Sequence, residues 1–313
     1  MIEGSKIPPY HTGRRSWASE KRNRYWMKTK LDKTLQMERK KKVVSSRRVG
    51  AFQKEIYRYY REHGRNLPWR KSCDPYDILI SEIMLQQTQV QRVVEKYAPF
   101  IARFPDFHSL ASAPLRDILM VWQGLGYNRR AIALRTIART VVEEFSGDLP
   151  SDPKVLVTLP GIGKATASAI SAFAFNQPTV FIETNIRTVF IHFFFLHRDN
   201  IKDAEMLPLV GKTLDTSNPR EWYYALMDYG AMLKKTYQNP NRKSAHYHKQ
   251  TPFRGSNREI RGMILRVLAG KPSISEAEIV RRLKTAPDRV RANLTQLQQE
   301  GFVIKRGKLF TIA

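Results

Sequence analysis

A glycine-containing turn is the stretch of this sequence whose residue types most directly suggest chemistry. In Leu159–Ala167, which reads LPGIGKATA, Gly161 and Gly163 are separated by a single residue, so the backbone can turn tightly. A helix that starts after such a turn presents free N–H groups, which together with the helix dipole can hold a phosphate oxygen. Lys164 adds a positive charge at the same point. We therefore expect a phosphate-binding turn between two helices; the alternative is a purely structural turn.

A glutamate in apolar surroundings is a second candidate for chemistry. Glu82 lies in a helical stretch where Ile78, Leu79, Ile83 and Met84 crowd it. A carboxylic acid that is half-buried in this way can keep its proton near neutral pH and act as a general acid. The alternative is an exposed glutamate on the outer face of a helix.

The elements that position these residues are predicted to be helices. Apolar residues recur at helical spacing from about Arg48 onward, and the first of them are Val49, Phe52 and Ile56. Ser151–Pro153 is typical of a capped helix start with proline in the first turn. Strand-like alternation is almost absent before residue 300, so we predict an all-α main body.

Residues 257–313 have the pattern of a separate winged-helix module. Their predicted elements are the helices Asn257–Ala269, Glu276–Leu283 and Pro287 to about Glu300, followed by two short strands around Arg306-Gly307. Three helices followed by a hairpin are typical of a winged helix, a variant of the helix-turn-helix. Basic residues on the third helix and the hairpin suit phosphate contacts, namely Arg289, Arg291, Lys305, Arg306 and Lys308. A small packing or dimerisation module is the alternative, since a fold does not fix a function.

The charge balance favours a polyanionic partner. The chain has 313 residues with 54 Lys and Arg against 28 Asp and Glu, which gives a formal net charge of +26. Solubility is usually served by mixed charge, so this excess indicates nucleic acid binding. Residues 1–46 are polar and strongly basic, and we expect a disordered tail there that adds sequence-independent DNA affinity.

The sequence also sets expectations about cofactors and compartment. Cys73 is the only cysteine, so one chain can form neither an internal disulfide nor a cysteine-held iron–sulfur cluster. His246 and His248 have no further evident ligands, and we expect no metal site. No apolar run approaches the ~18 residues of a transmembrane helix, and the N-terminus has no signal-peptide core. We expect an intracellular protein that works on DNA and has no membrane partner.

Several stretches together resemble one family of enzymes. They are Leu67–Arg70 with Pro75-Tyr76, Ser81–Val90, Trp122–Tyr127 with Arg129–Ala131, and the glycine turn. On these motifs Pro68–Phe190 is similar to the catalytic domain of the endonuclease III superfamily, and Glu82–Thr88 resembles the MutY-type adenine DNA glycosylases. The likeness implies an all-α, two-lobed helix-hairpin-helix fold over residues 47–256, in which 77–190 is the hairpin-containing lobe. The C-terminal winged-helix-like domain would then span 257–313.

The resemblance implies catalytic roles for three residues. Glu82 resembles the general acid that protonates adenine, which is otherwise a poor leaving group. Glu183 stands where the superfamily has an aspartate, whose carboxylate stabilises the oxocarbenium ion as the base leaves. On a fixed backbone, the extra methylene of glutamate displaces the carboxylate by ~1–1.5 Å. Three interpretations are therefore open: a shifted backbone, a different substrate, or a weak or inactive enzyme. Asn185 matches a MutY asparagine and is expected to hydrogen-bond near the Glu183 carboxylate.

The resemblance also implies a DNA-binding surface. Gln86, Gln87 and Tyr127 resemble residues that wedge into the duplex when a base is flipped, although Tyr127 could equally be a core residue. The full set of expected DNA-binding residues is Leu85, Gln86, Gln87, Thr88, Tyr127, Gly161, Ile162, Gly163, Lys164 and Thr166. Trp69 and Arg70 are expected in the base pocket.

Ala165 stands where the glycosylases that also cut the strand carry a nucleophilic lysine. The nearest lysine, Lys164, is one residue earlier, and one residue is a rotation of about 100° on a helix. Lys164 is therefore not expected to replace the nucleophile. This favours a monofunctional hydrolase in which water attacks the sugar.

Two features depart from the family. Its four cluster cysteines would follow Met232, whereas Lys234, Asn241, Ser244 and Gln250 fall at the matching intervals here. We therefore expect no iron–sulfur cluster and no other cofactor. MutY proteins usually carry an oxidised-guanine-reading domain at the C-terminus. The winged-helix-like module takes its place, which leaves recognition of 8-oxoguanine open.

These features predict a monofunctional DNA N-glycosylase of base excision repair that acts as a monomer on double-stranded DNA containing a mismatch or damaged base. It is expected to flip adenine out from a pair with guanine or oxidised guanine and to hydrolyse the N-glycosidic bond. One alternative is a glycosylase for another base, such as thymine or uracil opposite guanine. The other, favoured by Glu183, is a non-catalytic DNA-binding protein on a glycosylase scaffold.

Overall fold

The computed structural model describes residues 44–249, 251–271 and 273–313. Most of the expected basic tail, residues 1–43, lies outside the described residues, and so does Gln250. Ala51–Ala313 forms one compact unit by itself. The domain boundaries expected at residues 46 and 256 remain predictions.

The main body is built from helices joined by short turns. In chain order they are α1 (Ser46–His63), α2 (Pro75–Leu85), α3 (Val90–Arg103), α4 (Phe107–Ser112), α5 (Leu115–Trp122), α6 (Arg129–Glu144), α7 (Pro153–Leu156), α8 (Lys164–Phe175), α9 (Thr184–Phe194), α10 (Asp203–Thr213) and α11 (Pro219–Thr236). Two short 3₁₀ turns lie at Pro68–Arg70 and Pro240–Lys243. The predicted all-α body is confirmed.

Side-chain caps fix where several of these helices begin. Asp74 accepts a hydrogen bond from the Tyr76 N–H at 2.7 Å, and Asp152 does the same for Lys154 at 2.8 Å. Each cap is followed by a proline in the first helical position, where its missing N–H is no loss. The sequence expectation for residues 151–153 is therefore met by Asp152 as the cap.

Helix α2 lies at the centre of the body and packs against α3 and α8. Its residues Ile78, Leu79, Ile80, Ile83 and Met84 are all buried. Because these residues cover almost every face, a polar side chain on this helix is surrounded by apolar neighbours. That placement determines the environment of Glu82.

Helices α9 and α11 approach each other closely at a glycine. A Cβ added to Gly230 on α11 would lie 2.3 Å from the backbone carbonyl oxygen of Asn185 on α9. No such contact is sterically possible, so glycine is required for the two helices to lie this close. The contact fixes the start of α9, which carries Glu183 and Asn185.

The C-terminal residues form three helices and a small sheet. They are α12 (Asn257–Gly270), β1 (Ile274–Ser275), α13 (Glu276–Leu283), α14 (Pro287–Gln299), β2 (Val303–Arg306) and β3 (Leu309–Ile312). The sheet is antiparallel in the order β1-β3-β2, with Ile274 opposite Phe310 and Arg306 opposite Leu309. The predicted helices and hairpin are confirmed, and β1 is an additional strand that the sequence pattern did not reveal.

The basic residues of α14 are exposed and make local hydrogen bonds. Arg289 donates to the carbonyl oxygen of Gly255 at 2.7 Å, and Arg291 donates to the Glu276 carboxylate at 2.9 Å. Their contact with phosphate stays a prediction. Lys305, Arg306 and Lys308 of the hairpin are exposed. In the part of the chain described here, no helix is both long and apolar enough to cross a membrane.

Candidate active site

One cleft, with a volume of about 930 Å³, collects most of the predicted site residues. The predicted residues that line it are Trp69, Arg70, Glu82, Leu85, Gln86, Gln87, Thr88, Thr166, Glu183 and Asn185. Tyr127 and the hairpin residues Gly161, Ile162, Gly163 and Lys164 are not part of its lining. The cleft is therefore bounded by the end of α2, the first turn of α8 and the start of α9.

Glu82 is held in a largely dry part of the cleft. It lies on α2 between the buried residues Ser81 and Ile83. Loss of solvent and, to a smaller extent, the nearby charge of Glu183 raise the pKa of the Glu82 carboxyl, and Arg70 partly opposes them, so that the pKa is about 8. At neutral pH the group is a protonated acid, which can donate a proton to a bound molecule.

Glu183 caps the helix that follows it. Its Oε1 accepts hydrogen bonds from the N–H groups of Asn185 at 2.7 Å and Ile186 at 2.9 Å. The side-chain amide of Asn185 donates to Oε2 at 3.2 Å, so the hydrogen bond expected between these two residues is present. The longer side chain folds back over the start of α9, where the N–H groups and the helix dipole stabilise a negative charge.

Arg70 is committed to a buried ion pair. Its guanidinium donates to both carboxylate oxygens of Asp228, at 2.8 and 2.9 Å, and Arg65 donates to the same carboxylate at 2.6 Å. These arginines hold the pKa of Asp228 below its usual value against the opposing effect of burial. Trp69, also expected in the base pocket, is buried with its ring edge against Tyr97. Both residues line the cleft, but the Arg70 charge is already paired.

The loop between α2 and α3 is organised by a residue to which the sequence analysis gave no role. Buried Arg130 donates to the carbonyl oxygens of Ile83, Met84 and Gln86 at 2.6–2.8 Å. Its other nitrogen donates to the Thr88 hydroxyl at 3.0 Å. A guanidinium has several donors in one plane, so a single arginine can hold a whole turn. The position of Arg130 after a glycine motif did not indicate this role.

Gln86 and Gln87 differ in their surroundings within that loop. The Gln86 amide donates to the Gly161 carbonyl oxygen at 3.1 Å and the Thr166 hydroxyl at 3.3 Å, which links the loop to the glycine turn. Gln87 is exposed and has a φ of 53°, a left-handed conformation that costs free energy for a residue other than glycine. Such strain at the rim of a cleft is typical of functional positions.

The glycine turn has the expected helix–turn–helix geometry. Gly161 has a φ of 79°, and Gly163 is the exposed N-cap of α8. Ile162 is buried, and its N–H donates to the Leu159 carbonyl oxygen at 3.2 Å. The core and the turn therefore already engage the side chain and the N–H of Ile162, and its contact with DNA stays a prediction. Lys164 is exposed, and Ala165 lines the cleft.

Tyr127 lies outside the cleft and is held by a C-terminal residue. Its hydroxyl accepts a hydrogen bond from Arg258 of α12 at 2.8 Å, and Arg130 lies over its ring at 5.5 Å. Its φ of 47° places it in the left-handed region, like Gln87. The half-buried ring is therefore fixed at its backbone and at its hydroxyl.

Among the further residues that line the cleft, two on α11 had no part in the predicted site. Tyr224 and Lys234 both lie on α11 and face the cleft. Burial lowers the pKa of the Lys234 amine, and the charge of Glu183 opposes this effect. Lys234 was noted only as the counterpart of a cluster cysteine, and Tyr224 lies just before the weakly similar stretch 225–232. Neither position carried a motif that would have revealed it.

The residues at the family's cluster positions do not fit an iron–sulfur cluster. Lys234, Asn241 and Ser244 offer an amine, an amide and a hydroxyl instead of thiolates, and Gln250 lies outside the described residues. The loop is held by other contacts, in which Ile201 bridges Ser244 and the Lys243 amine donates to the Leu196 carbonyl oxygen at 2.6 Å. Within the described ranges, no three His, Cys, Asp or Glu residues are grouped for a metal ion.

Comparisons with known proteins show similarity to DNA repair proteins. Residues 80–209 match the family model of the HhH-GPD superfamily base excision DNA repair protein. The chain is 38% identical over 187 residues to the adenine DNA glycosylase of Buchnera aphidicola subsp. Baizongia pistaciae, which covers 58% of this chain and 52% of that relative. It is 34% identical over 233 residues to the adenine DNA glycosylase of Mycolicibacterium smegmatis, covering 68% of this chain and 79% of that relative.

A solved structure is similar over the same body. It is a thermostable thymine-DNA glycosylase, with a TM-score of 0.56 and 26% sequence identity, and the match covers 61% of this chain and 90% of that chain. The chain spans about half the length of the Buchnera relative.

Proposed function

The chain belongs to the HhH-GPD superfamily of base excision DNA repair proteins, and on that premise we propose that it is a monofunctional DNA N-glycosylase. Its substrate is double-stranded DNA that contains a mismatched or damaged base. It flips the base into the cleft and hydrolyses the N-glycosidic bond. It acts as a monomer.

The observation that carries this proposal is the pairing of two unlike carboxyl groups in one cleft. The Glu82 carboxyl, whose pKa is raised to about 8, donates a proton to a ring nitrogen of the base and makes it a better leaving group. The Glu183 carboxylate, held by N–H groups at 2.7 and 2.9 Å, stabilises the positive charge that develops on the sugar. Water then attacks the sugar, because Ala165 supplies no amine at the hairpin position.

We propose adenine as the excised base. The Buchnera and Mycolicibacterium relatives are adenine DNA glycosylases, and the Glu82–Thr88 stretch lies along the same cleft. A second candidate is thymine or uracil opposite guanine, which is favoured by the likeness to a thymine-DNA glycosylase.

A panel of end-labelled duplexes tests the proposal. Each duplex carries one pair, namely adenine opposite guanine, adenine opposite 8-oxoguanine, thymine opposite guanine or uracil opposite guanine. After incubation, alkali cleaves the strand wherever a base has been removed. Excision of adenine alone supports the proposal, and excision of thymine or uracil supports the second candidate. Tight binding without excision of any base would make the chain a non-catalytic DNA-binding protein.

We also propose that the protein works without an iron–sulfur cluster. Two observations support this. Lys234, Asn241 and Ser244 stand at cluster positions and offer no thiolates, and the single cysteine of the chain, Cys73, cannot hold a cluster by itself. The full-length protein should contain no stoichiometric iron by metal analysis and show no visible absorbance. Iron in a fixed ratio to protein, together with a visible absorbance band typical of iron–sulfur clusters, would contradict this proposal.

A further inference from the structure

A tyrosine hydroxyl is buried at the cleft without a hydrogen-bond partner. Tyr224 is 6% exposed and lines the cleft, and no group in the described part of the chain accepts from or donates to its hydroxyl. A buried hydroxyl without a partner lowers stability, so such groups are rare and often have a functional reason.

The ring of Tyr224 is held on both faces. It stacks on Phe173 with a centroid distance of 4.6 Å and an angle of 6° between the ring planes. The Arg70 guanidinium lies over it at 4.4 Å from the ring centroid, and Asp228 fixes that guanidinium. The hydroxyl therefore has a set position before anything binds, which limits the entropy lost when it makes a hydrogen bond.

The hydroxyl of Tyr224 shares the cleft with the proposed acid, Glu82. Burial raises the pKa of Tyr224, with a further contribution from the Glu82 carboxyl. The phenol is therefore neutral at physiological pH and can both donate and accept a hydrogen bond. A base that enters this cleft to meet Glu82 comes into the same space that Tyr224 lines.

The neighbouring tyrosine shows what a structural hydroxyl looks like in the same helix. Tyr223 is fully buried, and its hydroxyl donates to the Thr179 carbonyl oxygen at 2.7 Å. The helix thus places two consecutive tyrosines in apolar surroundings, one with a protein partner and one without. The difference makes Tyr223 a matched control for Tyr224.

We propose that the Tyr224 hydroxyl reads the flipped base by donating a hydrogen bond to a ring nitrogen, and so helps to determine which base is excised. This inference rests on the proposed glycosylase function and deepens it. Tyr224 contacts the substrate base in this proposal, whereas Phe173 and Arg70 only position its ring. A site with a buried polar group discriminates strongly against a base that leaves the group unpaired.

The test uses Tyr224→Phe and Tyr223→Phe in the full chain. Each change removes one hydroxyl and keeps the ring. Single-turnover excision is measured on duplexes that carry adenine, 1-deazaadenine or 3-deazaadenine. Adenine has both ring nitrogens N1 and N3, 1-deazaadenine lacks N1, and 3-deazaadenine lacks N3. Wild type should prefer adenine over one of these analogues by about tenfold, and Tyr224→Phe should lose this preference. Tyr223→Phe should keep it.

Thermal unfolding supplies an independent readout. Tyr224→Phe should be as stable as wild type or more stable, because it removes a buried unpaired group. Tyr223→Phe should be less stable, because it leaves the Thr179 carbonyl oxygen unpaired. If Tyr224→Phe keeps the wild-type preference among the three bases, or is destabilised as much as Tyr223→Phe, the proposal is overturned.

A binding arm separates this inference from the proposed function. Duplexes with 2′-fluoroarabinosyl adenine and the corresponding deaza analogues resist cleavage, so their affinities report base reading without chemistry. If wild type excises nothing but binds these duplexes with a preference that Tyr224→Phe loses, the glycosylase proposal fails and the reading role stands. Equal affinities for all analogues in both proteins would overturn the reading role.

Discussion

At the scale of single residues, the cleft keeps two carboxyl groups in different states by giving them different neighbours. Glu82 is surrounded by apolar residues of α2, which disfavours its charged form. Glu183 accepts hydrogen bonds from two backbone N–H groups and one side-chain amide at the start of α9. Two glutamates in one cleft therefore have different surroundings and can take different parts in one reaction.

The pH dependence of excision follows from Glu82. Its carboxyl must be protonated to act as an acid, and its pKa in the folded protein is about 8. Single-turnover excision should be nearly constant below this pH and should fall about tenfold per pH unit above it. Glu82→Gln, which has no proton to donate, should lower excision by ~10²-fold and remove this pH dependence. A rate that rises through pH 8 in wild type would contradict the role of Glu82.

The same group makes stability depend on pH. The pKa of Glu82 is raised from 4.5 to about 8, so in the range between them the unfolded chain is ionised while the folded chain keeps its proton. Stability linked to this group is complete below the unfolded pKa and is lost as pH rises toward the folded pKa. As pH rises through this range, the free energy of unfolding measured in urea should therefore fall less for Glu82→Gln than for wild type. Equal losses in both proteins would mean that Glu82 is not protonated in the folded state.

Glu183→Asp tests how the longer side chain is accommodated. The Glu183 carboxylate contacts the N–H groups of Asn185 and Ile186, which are the groups that an aspartate reaches when it caps a helix. We expect Glu183→Asp to keep excision within about tenfold of wild type, whereas Glu183→Gln should lose ~10²-fold because a neutral amide cannot stabilise the sugar cation. If Asp were as inactive as Gln, the longer arm would be essential to the chemistry.

The sequence alone predicted only part of this residue-scale arrangement. Glu82, Glu183 and Asn185 could be named because their motifs are local and continuous in the chain. Arg130 and Tyr224 could not, because their roles depend on groups 42 and more residues away and no local pattern records such contacts.

At the scale of elements, the first turn of α8 decides which residues meet the cleft. Ala165 and Thr166 line it, whereas Lys164 lies outside its lining and is exposed. The rotation of about 100° per residue explains why neighbours on one helix differ in this way. Amines do reach the cleft, but they come from the end of α11, at Lys234 and Lys235.

This arrangement predicts the outcome of borohydride trapping. With Ala165 at the hairpin position, wild type should form no covalent adduct with an abasic product, and strand breaks should require alkali. Gel analysis after reduction measures the adduct. Should an adduct form, Lys234→Ala, Lys235→Ala and Lys164→Ala distinguish its source, because Lys234 and Lys235 line the cleft and Lys164 does not. Trapping that is lost in Lys164→Ala would show that the helix start moves when DNA binds.

Helices were easier to predict than the breaks between them. The capped start at Ser151–Pro153, together with apolar periodicity, indicated where helices begin. Apolar periodicity did not indicate the break between the end of α2 at Leu85 and the start of α3 at Val90. Strand β1 has two residues, which is too short for any alternation to appear.

At the scale of the whole molecule, the C-terminal helices and sheet pack against the body at α5 and α6. Arg116 of α5 donates to the Ala269 carbonyl oxygen at 2.8 Å, and Arg129 of α6 pairs with Glu300 at 2.7 Å. A third contact ends on Tyr127, whose hydroxyl accepts from Arg258. Arg258 is itself fixed by the Thr251 carbonyl oxygen at 2.7 Å. The C-terminal elements thus hold a residue that is predicted to wedge into DNA.

Replacing Arg258 tests whether this contact prepares Tyr127 for DNA. A ring that is already fixed loses less entropy when it enters the duplex, so Arg258→Met should weaken binding to a duplex with a tetrahydrofuran abasic analogue by about tenfold. Tyr127→Phe removes the acceptor, and the double variant should bind no more weakly than Arg258→Met alone. Arg116→Met is the control, because it breaks a contact of the same packing surface that does not involve Tyr127. Fluorescence anisotropy measures the affinities of wild type and the four variants. An equal loss in Arg116→Met would assign the effect to packing in general, and tighter binding by Arg258→Met would show that Arg258 holds Tyr127 away from DNA.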